Sequence, residues 1–529
     1  MMTDFNPALG FYKSAKERPD NVVLSVGGSS FTYADMEARV SHLAHHLRAG
    51  RNSGRVGILG TRSLEAYVGI LASCWAGSAY VPLNLKWPEA RLIALLDELE
   101  LDALVVDRNG VNLLTPSVLE KAPRLIYISD STETPEPAGG QTITRFEDLP
   151  ASVMPEPAEM TADDLAYVIF TSGTTGLPKG VMISAANLAS YLDQSELWTG
   201  YTPQDRIGEA CDVTFDLSVH NLFLCTRAAA SLHVMAQLEL MAPSRFIRRH
   251  ELTVWMSVPT VIGLMRTTGA LQDGIFPSLR LSIFCGEPLP VKAAQAWAKA
   301  TPNGRVDNIY GPTEATVICT RQTLTVPPVE TPSRGILAIG APYETMKVEI
   351  FDENQNPLPD NTPGEIALAG PQVGIGYFGR PDLTDKQFRM IRGERWYLTG
   401  DLGSRGENGV FHHLGRVDNQ IKLKGNRIEL EEVDMHLRAA AGTELAATVA
   451  WPVTFGSAEG LVSFVAGSSR SSDEILSAML QALPRYMVPG AIRLVDTLPQ
   501  NANGKIDRRA LFESLDQEES GDQAKRAAG

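Results

Sequence analysis

The chain has 529 residues, too many for one ordinary domain; length alone suggests roughly two to four compact units. Apolar residues make up 44%, which suits a well-filled soluble core, and the formal net charge is −15. That sign argues against nucleic acid or an anionic membrane as partner, because both are held by basic faces. An anionic ligand must then be held by a local site.

In chain order, the start at Met1 lacks the basic and apolar segments of a signal peptide, so the expectation is a cytoplasmic protein. Cys74, Cys211, Cys225, Cys285 and Cys319 are odd in number, widely spaced and mostly set in apolar runs, which predicts free buried thiols and neither a disulfide framework nor a zinc site. From Phe31 to Asp107, helical periods such as Met36 to Leu47 alternate with short apolar runs such as Val56 to Leu59 and Ala103 to Val106, the pattern of parallel α/β layering. The uncharged run Ala66 to Leu85 contains Gly69, Gly77 and Pro82, and reads as a buried helix leading into a buried strand, not a membrane span. No internal repeat of fixed period is present.

A segment rich in Pro, Glu and Thr, Asp130 to Glu159, reads as a long acidic connection. Beyond it, Thr253 to Val258 and Leu281 to Cys285 are expected as buried strands, and Val326 to Pro332 as a break. After Gly340 the pattern turns to short β runs at Lys347 to Phe351, Glu365 to Ala369 and Gly409 to His413, predicting a small sheet or barrel. A domain boundary is expected after Gly415, and the charged, small-residue-rich tail 513–529 is expected to be disordered.

The stretch with the most chemistry is Tyr167 to Val181, YVIFTSGTTGLPKGV: an apolar strand running into glycines, hydroxyls and one lysine. Glycines let the backbone approach an anion, Ser172, Thr174 and Thr175 supply donors, and Lys179 supplies charge, so the loop suits phosphate oxygens. It is not a Walker loop, since Lys179 follows Pro178 and precedes Gly180 and cannot open a helix in the required way. This loop resembles the phosphate-loop signature of the adenylate-forming superfamily, which includes acyl-CoA synthetases, firefly-type luciferases and the amino-acid adenylation domains of nonribosomal peptide synthesis.

Other elements follow in the order of that family, from Phe31 to Tyr33 and Ala76 to Pro82 through Leu483 to Met487. The resemblance implies ATP-dependent activation of a carboxylic acid as an acyl adenylate, on an α/β fold with a large multi-subdomain N-terminal domain of layered α/β sheets plus a small β-barrel, 1–415. A small mobile α+β C-terminal domain, 416–512, would turn about Asp418. Nucleotide contacts would come from Thr171, Ser172, Gly173, Thr174, Thr175 and Lys179, from Asn308, Tyr310, Gly311 and Thr313, and from Asp401 and Arg416. Tyr310 would stack on adenine, Thr313 would meet the α-phosphate, Asp401 would accept the ribose hydroxyls, and Glu314 would stand near Mg²⁺ on the phosphates. Read without the family, Tyr310 to Ala315 is a plain turn, Asp401 a turn cap and Lys505 a solvated charge.

Lys505, in the family's last signature, would bridge the substrate carboxylate and the nucleotide, offsetting the repulsion of anion attacking anion. Lys422 would serve the thioester-forming state. The formal G-x-G-x-x-G match at Gly374 to Gly379 is followed by Arg380-Pro381 where a helix should begin, and reads as a turn.

Asp216 resembles the carboxylate that pairs with the α-ammonium in amino-acid-activating members; beside a neutral acid a buried unpaired charge would be costly. Carried over position by position, the pocket comprises Asp216, Leu217 and His220, Met256, Ile283, Cys285 and Gly286, and Ile309, Val317 and Ile318, with Lys505 closing it. One acid, one imidazole and apolar walls imply a small or medium neutral side chain, as in D-alanine-carrier-protein ligases or free-standing proline activators; both stay open. With no carrier domain visible after Lys505, the expected acceptor is the phosphopantetheine of a separate carrier protein. Rival readings are an acyl-CoA synthetase, a P-loop kinase or ATPase, and a non-catalytic nucleotide-binding module.

Overall fold

The computed structural model describes residues 4–130, 132–172, 178–416, 420–454, 457–500 and 506–528, with backbone only at 454, 457 and 519–528. It forms two compact units, one of Met1–Leu85, Leu92–Phe170 and Lys179–Val417, the other of Lys86–Arg91, Thr171–Pro178 and Asp418–Gly529.

In the first unit the uncharged run becomes the helix Leu64–Trp75 followed by the strand Ala79–Pro82, whose four residues are all buried. Such a strand has no polar face because both sides of a parallel sheet are covered. It lies in an eight-stranded sheet beside the parallel strand Arg55–Leu59, beyond which come Ala103–Val106 and Leu125–Ile128, also parallel. The preceding helix, Tyr33–Ala49, starts where the Thr32 hydroxyl accepts from Asp35 N and the Asp35 carboxylate accepts from Thr32 N, a reciprocal cap that fixes its first turn.

A nine-stranded sheet carries the parallel strands Arg206–Glu209, Val254–Ser257, Leu281–Phe284 and Arg305–Tyr310. Their register sets Glu209 beside Met256, Met256 beside Ile283, and Phe284 beside Asn308. These positions are at the carboxyl ends of the strands, where open α/β sheets bind ligands, because helix N-termini and loops converge there. The β region forms a five-stranded antiparallel sheet of Lys347–Phe351, Gly364–Ala369, Phe388–Ile391, Glu394–Arg405 and Phe411–Arg416, with Asp401 paired to Arg416.

In the second unit Gln420–Leu423 and Asn426–Glu429 form a hairpin, and Ala446–Ala450, Leu461–Ala466 and Ala491–Val495 form a three-stranded sheet. The helix Leu430–Ala441 ends at Gly442 with φ of 68°, the left-handed stop that glycine adopts without a Cβ penalty.

Two expectations are corrected. The acidic connection 130–159 is not all loop: Thr142–Arg145 is a strand pairing in parallel with Leu125–Ile128, and Gln141, buried at its start, donates to Leu119 O. The tail expected to be disordered from 513 is a helix, Arg508–Ala528, because Leu511 and Leu515 are both buried against Val449, Val462 and Phe464. Its high charge conceals a one-sided apolar pair a turn apart. None of the five cysteines is in a disulfide, and Cys74, Cys225, Cys285 and Cys319 are buried.

Candidate active site

Asp401 is the centre of a charged network on the antiparallel sheet. The Tyr310 hydroxyl donates to Asp401 Oδ2 at 2.6 Å, and Arg416 Nη1 donates to Oδ1 at 2.6 Å. The cross-strand register of Asp401 and Arg416 makes the second bond a consequence of sheet pairing. Thr399 Oγ1 accepts from Asp401 N at 2.9 Å and donates to Ile366 O at 2.7 Å, which fixes the backbone beneath the carboxylate. Burial and the adjacent Asp401 charge push the Tyr310 phenol well above its ordinary range, so it stays a donor. His413 Nε2 lies 3.4 Å from Asp401 Oδ1, a third group at a carboxylate that offers about four acceptor positions.

Glu314 is fully buried in the short turn Thr313–Ala315, and its Oε1 accepts from the Tyr377 hydroxyl at 2.9 Å. Lys179 opens the strand Lys179–Ser184 and lies 5.9 Å from the centre of the Tyr377 ring. Tyr377 pairs with Val181 on that strand, so the formal dinucleotide match is a strand, Gly376–Tyr377, and not a nucleotide loop. No group of three or more His, Cys, Asp or Glu that could hold a metal exists among the described residues. One hard carboxylate suits Mg²⁺, which is commonly shared between a carboxylate or two and substrate phosphates.

The apolar end is assembled from strand ends. Met256, Ile283 and Ile318 are fully buried, Cys285, Ile309 and Val317 nearly so, and Leu217 is 8% exposed. Gly286 has φ of 86°, which carries the chain out of the Leu281–Phe284 strand in a conformation glycine favours. Asn308 anchors this edge by donating to Ala338 O at 2.8 Å. Gly311 is required by space: a Cβ there would lie 2.5 Å from Val317 O. Thr316 and Val317, both β-branched, have φ of 56° and 69°. Each costs on the order of 1–3 kcal/mol relative to relaxed backbone, so the surroundings must hold them.

Asp216 precedes the helix Leu217–Arg227 and makes no capping bond. Burial holds the Tyr80, Tyr167 and Tyr191 hydroxyls and the Cys319 thiol neutral, and the Asp216 charge adds to each effect, which places it among neutral polar groups. His220, one turn on, is fully buried; the Tyr191 hydroxyl lies 2.5 Å from Nδ1 and the Tyr201 hydroxyl 3.2 Å from Nε2. Trp198 stacks on the imidazole at 5.9 Å. Burial lowers its pKa to about 3, so it is neutral and both nitrogens are committed. Neither Trp198 nor the two tyrosines was found from sequence, because only the fold brings them to the helix.

Thr171 ends the strand Leu165–Thr171 and Ser172 follows it. Lys422 lies in the second unit on the strand Gln420–Leu423, paired with Arg427. Gly173, Thr174, Thr175, Asp418 and Lys505 lie outside the described residues. No helix among those described is long and apolar enough to cross a membrane.

Residues 11–378 match the family model described as AMP-binding enzyme. The chain is 31% identical to the D-alanine–D-alanyl carrier protein ligase of Bacillus velezensis, over 92% of this chain and 95% of that one. It is 33% identical to tyrocidine synthase 3 of Brevibacillus parabrevis over 95% of this chain, but spans 8% of that synthase, and 38% of the 33%-identical AMB antimetabolite synthetase AmbB of Pseudomonas aeruginosa. Among solved structures it resembles the Vibrio cholerae adenylation domain AlmE in complex with glycyl-adenosine-5′-phosphate, with a TM-score of 0.87, 32% identity, and coverage of 98% of this chain and 99% of that one. With the model spanning well over half its length, the chain belongs to the AMP-binding enzyme family.

Proposed function

We propose that the chain is an ATP-dependent ligase that joins a small neutral amino acid to AMP with release of pyrophosphate, then transfers the aminoacyl group to the phosphopantetheine thiol of a separate carrier protein. The observation that carries the amino-acid reading is Asp216, a carboxylate at the start of the helix that carries His220 whose charge is felt by the buried Tyr167 hydroxyl and Cys319 thiol; an α-ammonium group entering there would meet its opposite charge. The walls of Met256, Ile283, Val317 and Cys285, with His220 already engaged by two tyrosines, favour a side chain that needs no polar partner. The likeness to an adenylation domain complexed with a glycyl adenylate, and to carrier-protein ligases for D-alanine, supports glycine or alanine within that class.

In this reading Tyr310, Asp401 and Arg416 hold the nucleoside, with the Asp401 oxygens accepting the ribose hydroxyls. Thr171, Ser172, Gly173, Thr174, Thr175 and Lys179 hold the phosphates, with Asn308, Gly311 and Thr313 along the same edge. Glu314, kept in place by Tyr377, would hold Mg²⁺, which when bound neutralises phosphate charge. Lys505 offsets the repulsion between the attacking carboxylate and the α-phosphate. Lys422 serves thioester formation, and Asp418 is the hinge between the two half-reactions.

The test is pyrophosphate release with a panel of glycine, L- and D-alanine, proline, valine and aryl acids, followed by transfer to a carrier protein or to free coenzyme A. Release is expected with the small amino acids and transfer to the carrier. Preference for aryl acids would remove the role of Asp216, and transfer to coenzyme A alone would make the enzyme an acyl-CoA synthetase.

A further inference from the structure

We infer that Gln372, outside the pocket wall, is a positioning residue that sets which side chains the amino-acid pocket admits, by holding Val317 in its left-handed conformation; this rests on the proposed function. Gln372 lies just before the formal dinucleotide match and is fully buried. Its Nε2 donates to Ile318 O at 2.8 Å and lies 3.5 Å from Ala315 O, while its main-chain carbonyl accepts from Thr316 Oγ1 at 2.6 Å. One residue therefore grips the wall on both sides of Val317.

The grip is needed because the wall is bent sharply at its strained point. Ile318 N donates to Thr316 O at 2.9 Å, closing a γ-turn around Val317, whose φ is 69°. A β-branched residue does not hold that conformation unaided. The segment that carries Gln372 is itself fixed: Asn187 Nδ2 donates to Pro371 O at 2.7 Å and to Val373 O at 3.2 Å, and Arg395 donates to Gly374 O at 2.7 Å and Ile375 O at 2.6 Å. Gly374 N also donates to Glu314 O at 2.8 Å. Anchorage thus runs from the helix Ala185–Thr199 through Gln372 to Val317, and the side-chain amide of Gln372 is its link to Ile318.

Selectivity between substrates that differ by a methyl or two depends on wall position at the scale of one such group, so losing the amide should alter discrimination more than nucleotide use. Gln372→Met keeps length and removes the donor; Gln372→Glu keeps shape and replaces the donor with an acceptor that regains a proton at low pH. The measurement is kcat/KM in pyrophosphate release for glycine and for valine, with KM for ATP alongside. Expected for both variants is a change in the glycine-to-valine ratio of about fivefold or more with the ATP KM within about twofold, the Glu variant moving toward wild type as pH falls. Val317→Gly, which needs no support at positive φ, should shift the ratio too, and Gln372→Met in that background should add nothing.

An unchanged ratio in the Gln372 variants, or effects of Gln372→Met and Val317→Gly that simply multiply, would overturn the inference. If Gln372→Met does not fold, Gln372→Glu alone decides by its pH dependence. Wild type that releases pyrophosphate with no amino acid would instead overturn the proposed function, and the two failures cannot be confused.

Discussion

Asp401 accepts from a phenol on one oxygen and a guanidinium on the other, both at 2.6 Å, and this makes its charge harder to replace than its shape. In Asp401→Asn the charge opposite Arg416 is lost, and the amide nitrogen must either face that guanidinium, donor against donor, or reverse the bond with the Tyr310 hydroxyl. Hydrogen bonds to charged groups contribute about 1.5–3 kcal/mol, so the KM for ATP should rise roughly 10- to 100-fold. The KM for the amino acid should stay within about twofold, since in the proposed function Asp216 serves that end. Tyr310→Phe keeps the ring and loses one donor, so its effect should run the same way and be smaller. Steady-state pyrophosphate release with each substrate varied in turn measures both constants; equal rises in the two would show a general loss of structure and not a nucleotide contact.

Two opposed titrations meet at the helix Leu217–Arg227: His220 on the helix itself, and Glu209, which ends the strand Arg206–Glu209 and is bonded by Asn221 of the helix. His220 has its pKa lowered from 6.5 to about 3 by burial, with Tyr191, Tyr201 and Trp198 around it and no carboxylate among those contacts. Its lowered folded pKa means that stability is intact above 6.5 and is lost as pH falls toward 3. Glu209, which accepts from Cys211 N at 2.7 Å and from Asn221 Nδ2 at 3.2 Å, is raised from 4.5 to about 7 by burial, against the opposing effect of Arg62 and with Asp212 adding to the rise. Its raised folded pKa means that stability is intact below 4.5 and is lost as pH rises toward 7. Between pH 7 and pH 5 each group contributes about 2 kcal/mol, of opposite sign, so the pair nearly cancels. Relative to wild type, His220→Gln should therefore gain stability on going from pH 7 to 5, and Glu209→Gln should lose it, in urea denaturation at the two pH values; slopes of the same sign would show that one is misassigned. Much at this scale was legible: the uncharged run is a helix and a strand because no other structure hides twenty such residues, and Leu281–Phe284 reads as buried because it is. The partners of His220 were not legible, because Tyr191, Tyr201 and Trp198 lie on another helix and its following turn, and no local period links them to it. Nor was the edge strand Thr142–Arg145, whose Thr-Ile-Thr suits a strand but is only four residues long inside a stretch rich in Pro, Glu and Thr that reads as a connection.

Across the whole molecule, the order of signatures along the chain was readable where their geometry was not. Tyr310, Asp401 and Arg416 are distant in sequence, and only the five-stranded sheet and the end of the Arg305–Tyr310 strand explain why they meet. The second unit, by contrast, contributes lysines whose proposed roles differ by half-reaction, and this gives a prediction that needs both. Adenylate formation brings a carboxylate against a phosphate anion, so a fixed cation lowers its barrier; in thioester formation the thiol attacks the uncharged carbonyl carbon of the mixed anhydride and AMP leaves, so the attack is not directed at an anionic phosphate. Lys505→Ala should thus abolish amino-acid-dependent pyrophosphate release yet leave aminoacyl transfer from preformed aminoacyl-AMP to the carrier protein close to wild type. Lys422→Ala should do the reverse, sparing pyrophosphate release and slowing transfer. Single-turnover assays of the two steps separate these outcomes, and equal loss of both steps in either variant would refute the division of labour, leaving that lysine as a general structural cation.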